Sequence, residues 1–82
     1  MGLSLPDVRP GQIWADDDYR MRGRKVKVLE MTTVGGEPAA RVQVIANAKG
    51  AVLPVDGKPR ITTIRVRRFR PGSTGYRLEQ DA

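Results

Sequence analysis

Proline and glycine interrupt the 82-residue chain so often that no stretch between them accommodates a long amphipathic helix. Between these residues lie short segments rich in Val, Ile, Thr and aromatic side chains, a pattern typical of strands separated by turns. The sequence therefore predicts an all-β fold. The interrupting residues are Pro6, Pro10, Gly11, Gly23, Gly35, Gly36, Pro38, Gly50, Pro54, Gly57, Pro59, Pro71, Gly72 and Gly75.

Five strands are predicted, at residues 12–15, 24–33, 39–46, 60–66 and 76–79. In the second strand, Val26 and Val28 alternate with lysines until the alternation breaks at residues 29–31, which predicts a bulge or a strong bend. Residues 35–38, Gly-Gly-Glu-Pro, predict a hairpin connection to the third strand. A long loop after the first strand, this hairpin and a compact turn before the fifth strand match the layout of SH3-like barrels. We therefore expect a small, five-stranded, strongly bent antiparallel SH3-like barrel.

The length of the chain predicts a single domain, because a chain this short buries only about 60–65% of the surface that its unfolded form exposes. We expect an ordered core over residues 9–80, with residues 47–59 as a long loop or a mobile hairpin around Val52, Leu53 and Val55. Trp14 and Phe69 are expected to be the largest core anchors. The predicted core consists of large side chains on the inward faces of the strands: Ile13, Trp14, Val26, Val28, Val42, Val44, Ile61, Ile64, Val66, Phe69, Tyr76 and Leu78.

Cysteine and histidine are both absent from the sequence. Their absence excludes disulfides, thiolate nucleophiles, imidazole metal ligands, and catalysis by Ser-His-Asp or Cys-His groups. We expect a non-enzymatic protein with no catalytic residues, no cofactor and no metal. A cysteine-free chain fits a reducing compartment, and the sequence contains neither a long apolar run nor a readable signal peptide. A cytoplasmic location without membrane contact is therefore expected.

Positive charge is concentrated along the chain. The 15 Lys and Arg residues exceed the 9 Asp and Glu residues by six, and two acid-free stretches, residues 19–29 and 57–78, hold most of them. Guanidinium groups bind phosphate oxygens bidentately, so this distribution favours salt-dependent binding to the backbone of DNA or RNA. The candidate nucleic-acid-binding residues all belong to these two stretches: Arg20, Arg22, Arg24, Lys25, Lys27, Arg65, Arg67, Arg68, Arg70 and Arg77.

Other uses of this charge stay open at this stage. A basic face also docks on an acidic protein surface, as in a protein-interaction module such as a phage-encoded modulator of a host protein. Surface arginines also serve solubility and cover apolar edges. Tyr19, between Asp18 and Arg20, is the best candidate for an exposed aromatic side chain that stacks on a base. We expect no sequence-specific readout, because neither a recognition helix nor an RNP-type motif is evident.

Asp16, Asp17 and Asp18 form the one acidic cluster. Three adjacent carboxylates can bind a divalent cation, but consecutive residues of an extended segment point to opposite sides, and no EF-hand spacing follows. The simpler interpretation is a solvated loop whose carboxylates pair with the arginines just after it. Such a loop also restricts nonspecific binding of nucleic acid by repulsion.

Two resemblances bear on the fold. Residues 9–14, Arg-Pro-Gly-Gln-Ile-Trp, resemble the start of the PemK/MazF-type toxins, which are SH3-like barrels that cleave RNA. The following strand lacks the Arg-Pro pair of those toxins, and Arg24 has no assignable partner, so we do not expect ribonuclease activity. Residues 9–14, 23–28, 63–71 and 75–78 together resemble small uncharacterised SH3-like β-barrel proteins of actinobacteria and their phages. That resemblance implies a stand-alone β-barrel and no catalytic residue.

Overall fold

A computed structural model describes residues 6–18, 20, 23–52, 58–72 and 75–82. They form five strands, β1 (Ile13–Asp16), β2 (Lys25–Val34), β3 (Glu37–Ala46), β4 (Arg60–Arg65) and β5 (Tyr76–Gln80), with a 3₁₀ helix at Val66–Arg68. All strands pair antiparallel in one sheet with the order β4-β3-β2-β1-β5. The all-β prediction is confirmed, and every strand end lies within two residues of its predicted position. The sheet is open, because no ladder in the described residues joins its edge strands β4 and β5.

β2 is irregular at the predicted place. Val28 pairs with Val42 and Glu30 pairs with Arg41, so Leu29 is an extra residue without a partner of its own. At a second register shift Lys25 pairs with Ala46 and Val26 with Val44, so here the extra residue is Ile45 of β3. Bulges of this kind bend a strand and increase its twist, which curls the sheet around its inner face. The bulge predicted from the broken alternation is therefore confirmed.

Gly35 and Gly36 connect β2 to β3 in a hairpin loop of two residues, and Val34 pairs directly with Glu37. The φ angles of the two glycines are +57° and +80°. Positive φ at both central residues is required by a type I′ turn, and glycine adopts it without a steric cost. The predicted hairpin is confirmed, and its turn is short enough that Glu37 already belongs to β3.

The core lies on one face of the sheet and is centred on aromatic rings. Trp14 meets Phe69 edge to face with ring centroids 5.0 Å apart, and Phe69 stacks on Tyr76 at 5.4 Å. Phe69 is the largest of the fully buried side chains, so its predicted role as an anchor is confirmed. The predicted core residues that are buried are Trp14, Val26, Val28, Val42, Val44, Ile64, Val66, Phe69 and Tyr76.

Three residues of the predicted core are not buried. Ile61 is 46% exposed, because it lies three residues from the inward-facing Ile64 and therefore faces the opposite side of β4. Ile13 is half-buried on the outer face, next to the buried Trp14. Leu78 is 42% exposed: it lies further along the edge strand β5 than Tyr76, which is buried against Phe69. Four smaller side chains complete the core instead: Val8, Ala39, Ala40 and Ala46.

Gln12 is a buried polar residue that the sequence analysis did not predict; its side chain is 1% exposed. Its Oε1 accepts hydrogen bonds from the Arg9 backbone N–H at 2.8 Å and from Trp14 Nε1 at 3.0 Å. Its Nε2 donates to the Asp7 carbonyl oxygen at 3.1 Å and to Asp81 Oδ1 at 3.0 Å. Every hydrogen-bonding position of the amide is used, which offsets the cost of burying it. Gln12 thus ties the segment before β1 and the segment after β5 to the core.

The segment between β3 and β4 is described in part. Ala46 and Val52 form an isolated antiparallel bridge, and Asn47 Oδ1 accepts from the backbone N–H groups of residues 49 and 51. Leu53 and Val55 of the predicted hairpin lie outside the described residues, as do Tyr19 and Arg22 of the first loop. No helix within the described ranges is long and apolar enough to cross a membrane.

Candidate nucleic-acid interface

Arginines gather where the chain leaves β4. The buried side chains of Val66 and Phe69 anchor this segment to the core, and Arg67 and Arg68 between them are exposed. The segment encloses a groove of about 350 Å³, which we call the arginine groove. Its described lining is formed by Arg65, Arg67, Arg68, Arg70, Pro71, Gly72 and Gly75. Four of the predicted binding residues are therefore brought together.

A tight turn closes the groove at its far end. The Tyr76 backbone N–H donates to the Arg70 carbonyl oxygen at 2.9 Å, and the Gly75 N–H donates to the Gly72 carbonyl oxygen at 3.2 Å. A Cβ atom on Gly75 would overlap the Arg70 carbonyl oxygen. Glycine at position 75 thus permits the close packing that places Arg70 and Gly72 on the groove wall.

Glu37 supplies a counter-charge beside the groove. Its Oε2 lies 3.0 Å from Arg65 Nε and its Oε1 lies 3.5 Å from Arg67 Nε. The Arg65 Nε atom is buried and has no aligned hydrogen-bond acceptor, so the contact with Glu37 is electrostatic. All three side chains are at least 40% exposed, and ion pairs of this kind add little to stability. Among the described residues, Glu37 is the carboxylate paired with Arg65 and Arg67, and the Asp17 carboxylate contacts the Gly72 backbone at the far end of the groove.

Arg68 is held against the core by an aromatic ring. Its guanidinium carbon lies 5.9 Å from the centroid of the Tyr76 ring, within the range of a cation–π contact. Tyr76 is itself buried and stacks on Phe69, so the ring is a fixed platform. The position of Arg68 is therefore set by the aromatic centre of the fold.

The arginines of the first basic stretch are paired with aspartates. Arg20 Nη2 lies 2.9 Å from Asp18 Oδ2, and this hydrogen bond lowers the pKa of the Asp18 carboxyl and raises the pKa of the Arg20 guanidinium. Arg24 Nη1 donates to Asp16 Oδ2 at 3.1 Å and to the Tyr76 hydroxyl at 2.8 Å. The side chain of Arg24 is only 21% exposed, so its main contacts are within the fold. Arg22 lies outside the described residues.

The remaining predicted residues lie on another surface. Lys25 of β2 and Arg77 of β5 both pair with Ala15 of β1, one on either side, and Lys27 lies two pairs further along β2, opposite Ile13. Lys25 Nζ lies 2.8 Å from Glu79 Oε1. None of these three basic residues belongs to the described lining of the arginine groove. The structure therefore places the nine described residues of the predicted set on more than one surface.

The acidic cluster forms separate pairs. Asp16 and Asp18 contact the arginines described above, and Asp17 Oδ2 accepts from the Gly72 backbone N–H at 2.8 Å. The predicted pairing of this loop with the arginines that follow it is confirmed. In the part of the chain that the structure describes, no group of three or more acidic residues is arranged to hold a metal ion. Asp17 also connects this loop to the turn that closes the groove.

A second cavity, of about 390 Å³, adjoins the arginine groove. We call it the polar pocket; Arg68 lines both cavities. The two basic stretches of the sequence meet here, because Arg20 and Arg24 face the same cavity as Arg68. Its described lining is formed by Asp16, Asp18, Arg20, Arg24, Thr62, Thr63, Ile64, Arg68 and Tyr76.

Glu37 is a site residue that the sequence analysis missed. The β3–β4 ladder ends at the pair Ala39 and Arg65, so Glu37, two residues before Ala39, lies beside the point where the chain leaves β4 for the 3₁₀ helix that carries Arg67. The two residues are far apart in the sequence, and only the pairing of β3 with β4 brings them together. The alternation within each strand contains no signal for this contact.

No protein-family model, curated protein or solved structure matches the chain. The described side chains therefore provide the basis for inferring function. Planar guanidinium groups converging on an exposed groove are suited to binding anions with several oxygens, phosphates above all.

Proposed function

We propose that this protein is a non-enzymatic nucleic-acid-binding module that holds backbone phosphates in the arginine groove. The observation that carries the proposal is the convergence of Arg65, Arg67, Arg68 and Arg70 on one groove, where the described ion pairs include a single carboxylate. Guanidinium groups bind phosphate oxygens through two parallel hydrogen bonds. A groove with excess positive charge also attracts a polyanion from a distance and speeds its association.

An SH3-like barrel is the architecture that we propose for this module. The strand order, with β1 between β2 and β5, supports this proposal, as do the bulges in the β2–β3 ladder. The two-residue hairpin after β2 and the 3₁₀ helix before β5 fit the expected connections. In such a barrel the edge strands β4 and β5 curl towards each other, and the arginine groove lies on the segment that joins them.

The proposal requires binding that depends strongly on salt. Each neutralised phosphate contributes about −0.7 to −0.9 to the slope of log affinity against log salt concentration. With three or four contacts, affinity falls roughly 20- to 150-fold between about 50 and 200 mM salt. Because the contacts are to the backbone, affinity depends little on base sequence in the groove itself.

Fluorescence-anisotropy titrations with labelled single-stranded and duplex oligonucleotides at these two salt concentrations test the proposal. Arg67→Gln removes one groove charge, so we expect weaker binding and a salt slope reduced by about one. Lys49→Gln is the matched control, since it removes one exposed charge from the turn after β3, outside the described lining of the groove. Absence of binding at low salt, or an affinity indifferent to salt, would overturn the proposal.

Docking on an acidic protein surface is the alternative outcome, because it uses the same charges. Affinity purification with and without nuclease treatment distinguishes the two. A partner that survives nuclease treatment, and whose capture is lost in Arg67→Gln and kept in Lys49→Gln, would replace nucleic acid as the ligand.

A further inference from the structure

The arginine groove and the polar pocket differ in chemistry although they share Arg68. The described side chains of the groove offer only donors, whereas the pocket adds the carboxylates of Asp16 and Asp18 and the hydroxyl groups of two threonines. The donors of the arginine groove suit phosphates. The polar pocket offers donors and acceptors, so it suits the edge of a base, which carries both. We infer that the nucleic acid bound here is single-stranded and that one base enters the polar pocket, where the aspartates favour bases that carry an amino group. This inference rests on the proposed function.

Because Arg68 forms a wall that the groove and the pocket share, the bound strand must be single. A nucleotide whose phosphate lies beside Arg68 has its own base within reach of the adjoining pocket. In a duplex that base is stacked and paired, so its Watson–Crick edge is turned towards the partner strand. An unpaired base is free to turn out of the strand and to present this edge to side chains. The volume of about 390 Å³ is in the range of pockets that hold small molecules.

Counting the hydrogen bonds between described residues, the two aspartates keep unused acceptor positions, and these explain the preference for amino groups. Asp16 Oδ1 accepts from the Asp18 backbone N–H and Oδ2 accepts from Arg24, which leaves a position on each oxygen. Asp18 Oδ1 accepts two hydrogen bonds from Arg20 and Oδ2 accepts one, which leaves a position on Oδ2. The amino groups of cytosine, adenine and guanine donate to such oxygens.

The surroundings of the carboxylates strengthen this selectivity. The side chains of Asp16 and Asp18 are 9% and 13% exposed, so bulk water competes weakly for their free positions. The hydrogen bond from Arg20 lowers the pKa of Asp18, which keeps that carboxylate an acceptor at neutral pH. Uracil carries a carbonyl oxygen at the position where cytosine carries its amino group. This oxygen would face an aspartate oxygen of the pocket, and two hydrogen-bond acceptors repel each other. Cytosine is therefore expected to bind better than uracil.

Anisotropy titrations with oligo-dC and oligo-dU of equal length test the inference, because the two ligands have the same backbone and charge. At low salt we expect dC to bind about fivefold more tightly than dU, the effect of one hydrogen bond. We also expect a duplex of the same length to bind less tightly than dC.

Asp18→Asn is the diagnostic variant and Glu30→Gln is its control, since each removes one carboxylate that is paired with an arginine. Both variants should bind oligonucleotides more tightly as net charge rises, but only Asp18→Asn should lower the dC-to-dU ratio. Equal affinity of the unaltered protein for dC and dU, or tighter binding of the duplex, would overturn the inference and leave the proposed function intact. Failure to bind any oligonucleotide would overturn both.

Discussion

The indole Nε1 of Trp14 donates a 3.0 Å hydrogen bond to Oε1 of Gln12, and both side chains are buried. Trp14 in turn packs its ring edge to face against Phe69. The same Gln12 amide donates to Asp81 near the end of the chain. One side chain thus connects the aromatic centre of the core with the segment before β1 and the segment after β5.

Replacing this amide is expected to destabilise the fold. Gln12→Leu keeps the volume but leaves the Trp14 N–H and two backbone groups without partners, at a cost of about 2–4 kcal/mol. Urea denaturation followed by the fluorescence of the single tryptophan measures the loss. Gln43→Leu, at a half-buried position of β3, should change stability by less than about 1 kcal/mol. Equal effects of the two substitutions would contradict the role assigned to Gln12.

Gly75→Ala is expected to disturb both stability and binding. The added Cβ overlaps the backbone oxygen of Arg70, which cannot move as a flexible side chain would, so we expect a loss of about 2–3 kcal/mol or more. Gly36→Ala is the control. Its added Cβ lies in open space, so the variant measures only the cost of a positive φ to stability, about 1 kcal/mol. Thermal denaturation of the two variants checks the difference. A Gly75→Ala protein as stable as the unaltered one would show that the turn has another conformation.

Glu37→Gln is expected to strengthen binding of oligonucleotides at low salt by roughly two- to fivefold. The substitution removes the carboxylate that competes with phosphate for Arg65 and Arg67. Stability should change by less than about 1 kcal/mol, because the ion pairs are exposed. Glu30→Gln, which frees Arg41 outside the groove, is the control and should strengthen binding less. An unchanged affinity of Glu37→Gln would show that phosphates bind elsewhere.

Stability is expected to fall as the solution becomes acidic. The hydrogen bond from Gln12 is the main cause that lowers the pKa of Asp81 from its ordinary value of 3.8, with a further contribution from the Ala82 N–H. Because the pKa of Asp81 is lower in the folded state than in the unfolded state, its carboxylate stabilises the fold at pH values above the unfolded-state pKa. This stabilisation is lost as the pH falls through the pKa of the folded state.

Urea midpoints measured between pH 7 and pH 2 should therefore decrease below about pH 4. The decrease should be smaller in Asp81→Asn, because the amide cannot be protonated in this range. Glu30→Gln, at an exposed ion pair on β2 and β3, should keep the full decrease. Identical pH profiles for Asp81→Asn and the unaltered protein would show that Asp81 does not contribute.

Local signals were sufficient to predict the strands. The alternation of Val26 and Val28 with lysines, its break at Leu29 and the Gly35-Gly36 pair each act within a few residues, and the structure has the strand, the bulge and the turn there. The predictions failed where burial depends on position in the sheet. Leu78 has the same alternation as buried residues, but its strand is at an edge.

For the candidate site, the sequence by itself determined that Arg65, Arg67, Arg68 and Arg70 lie close together, because they are near neighbours around one turn. Only the tertiary structure decided which charges oppose them. The end of the β3–β4 ladder and the 3₁₀ helix that follows it bring Glu37 beside Arg67, and the packing of the first loop pairs Arg24 with Asp16 and Tyr76. Neighbours along a chain are fixed by covalent geometry, whereas pairs across strands depend on a register that the whole core must satisfy.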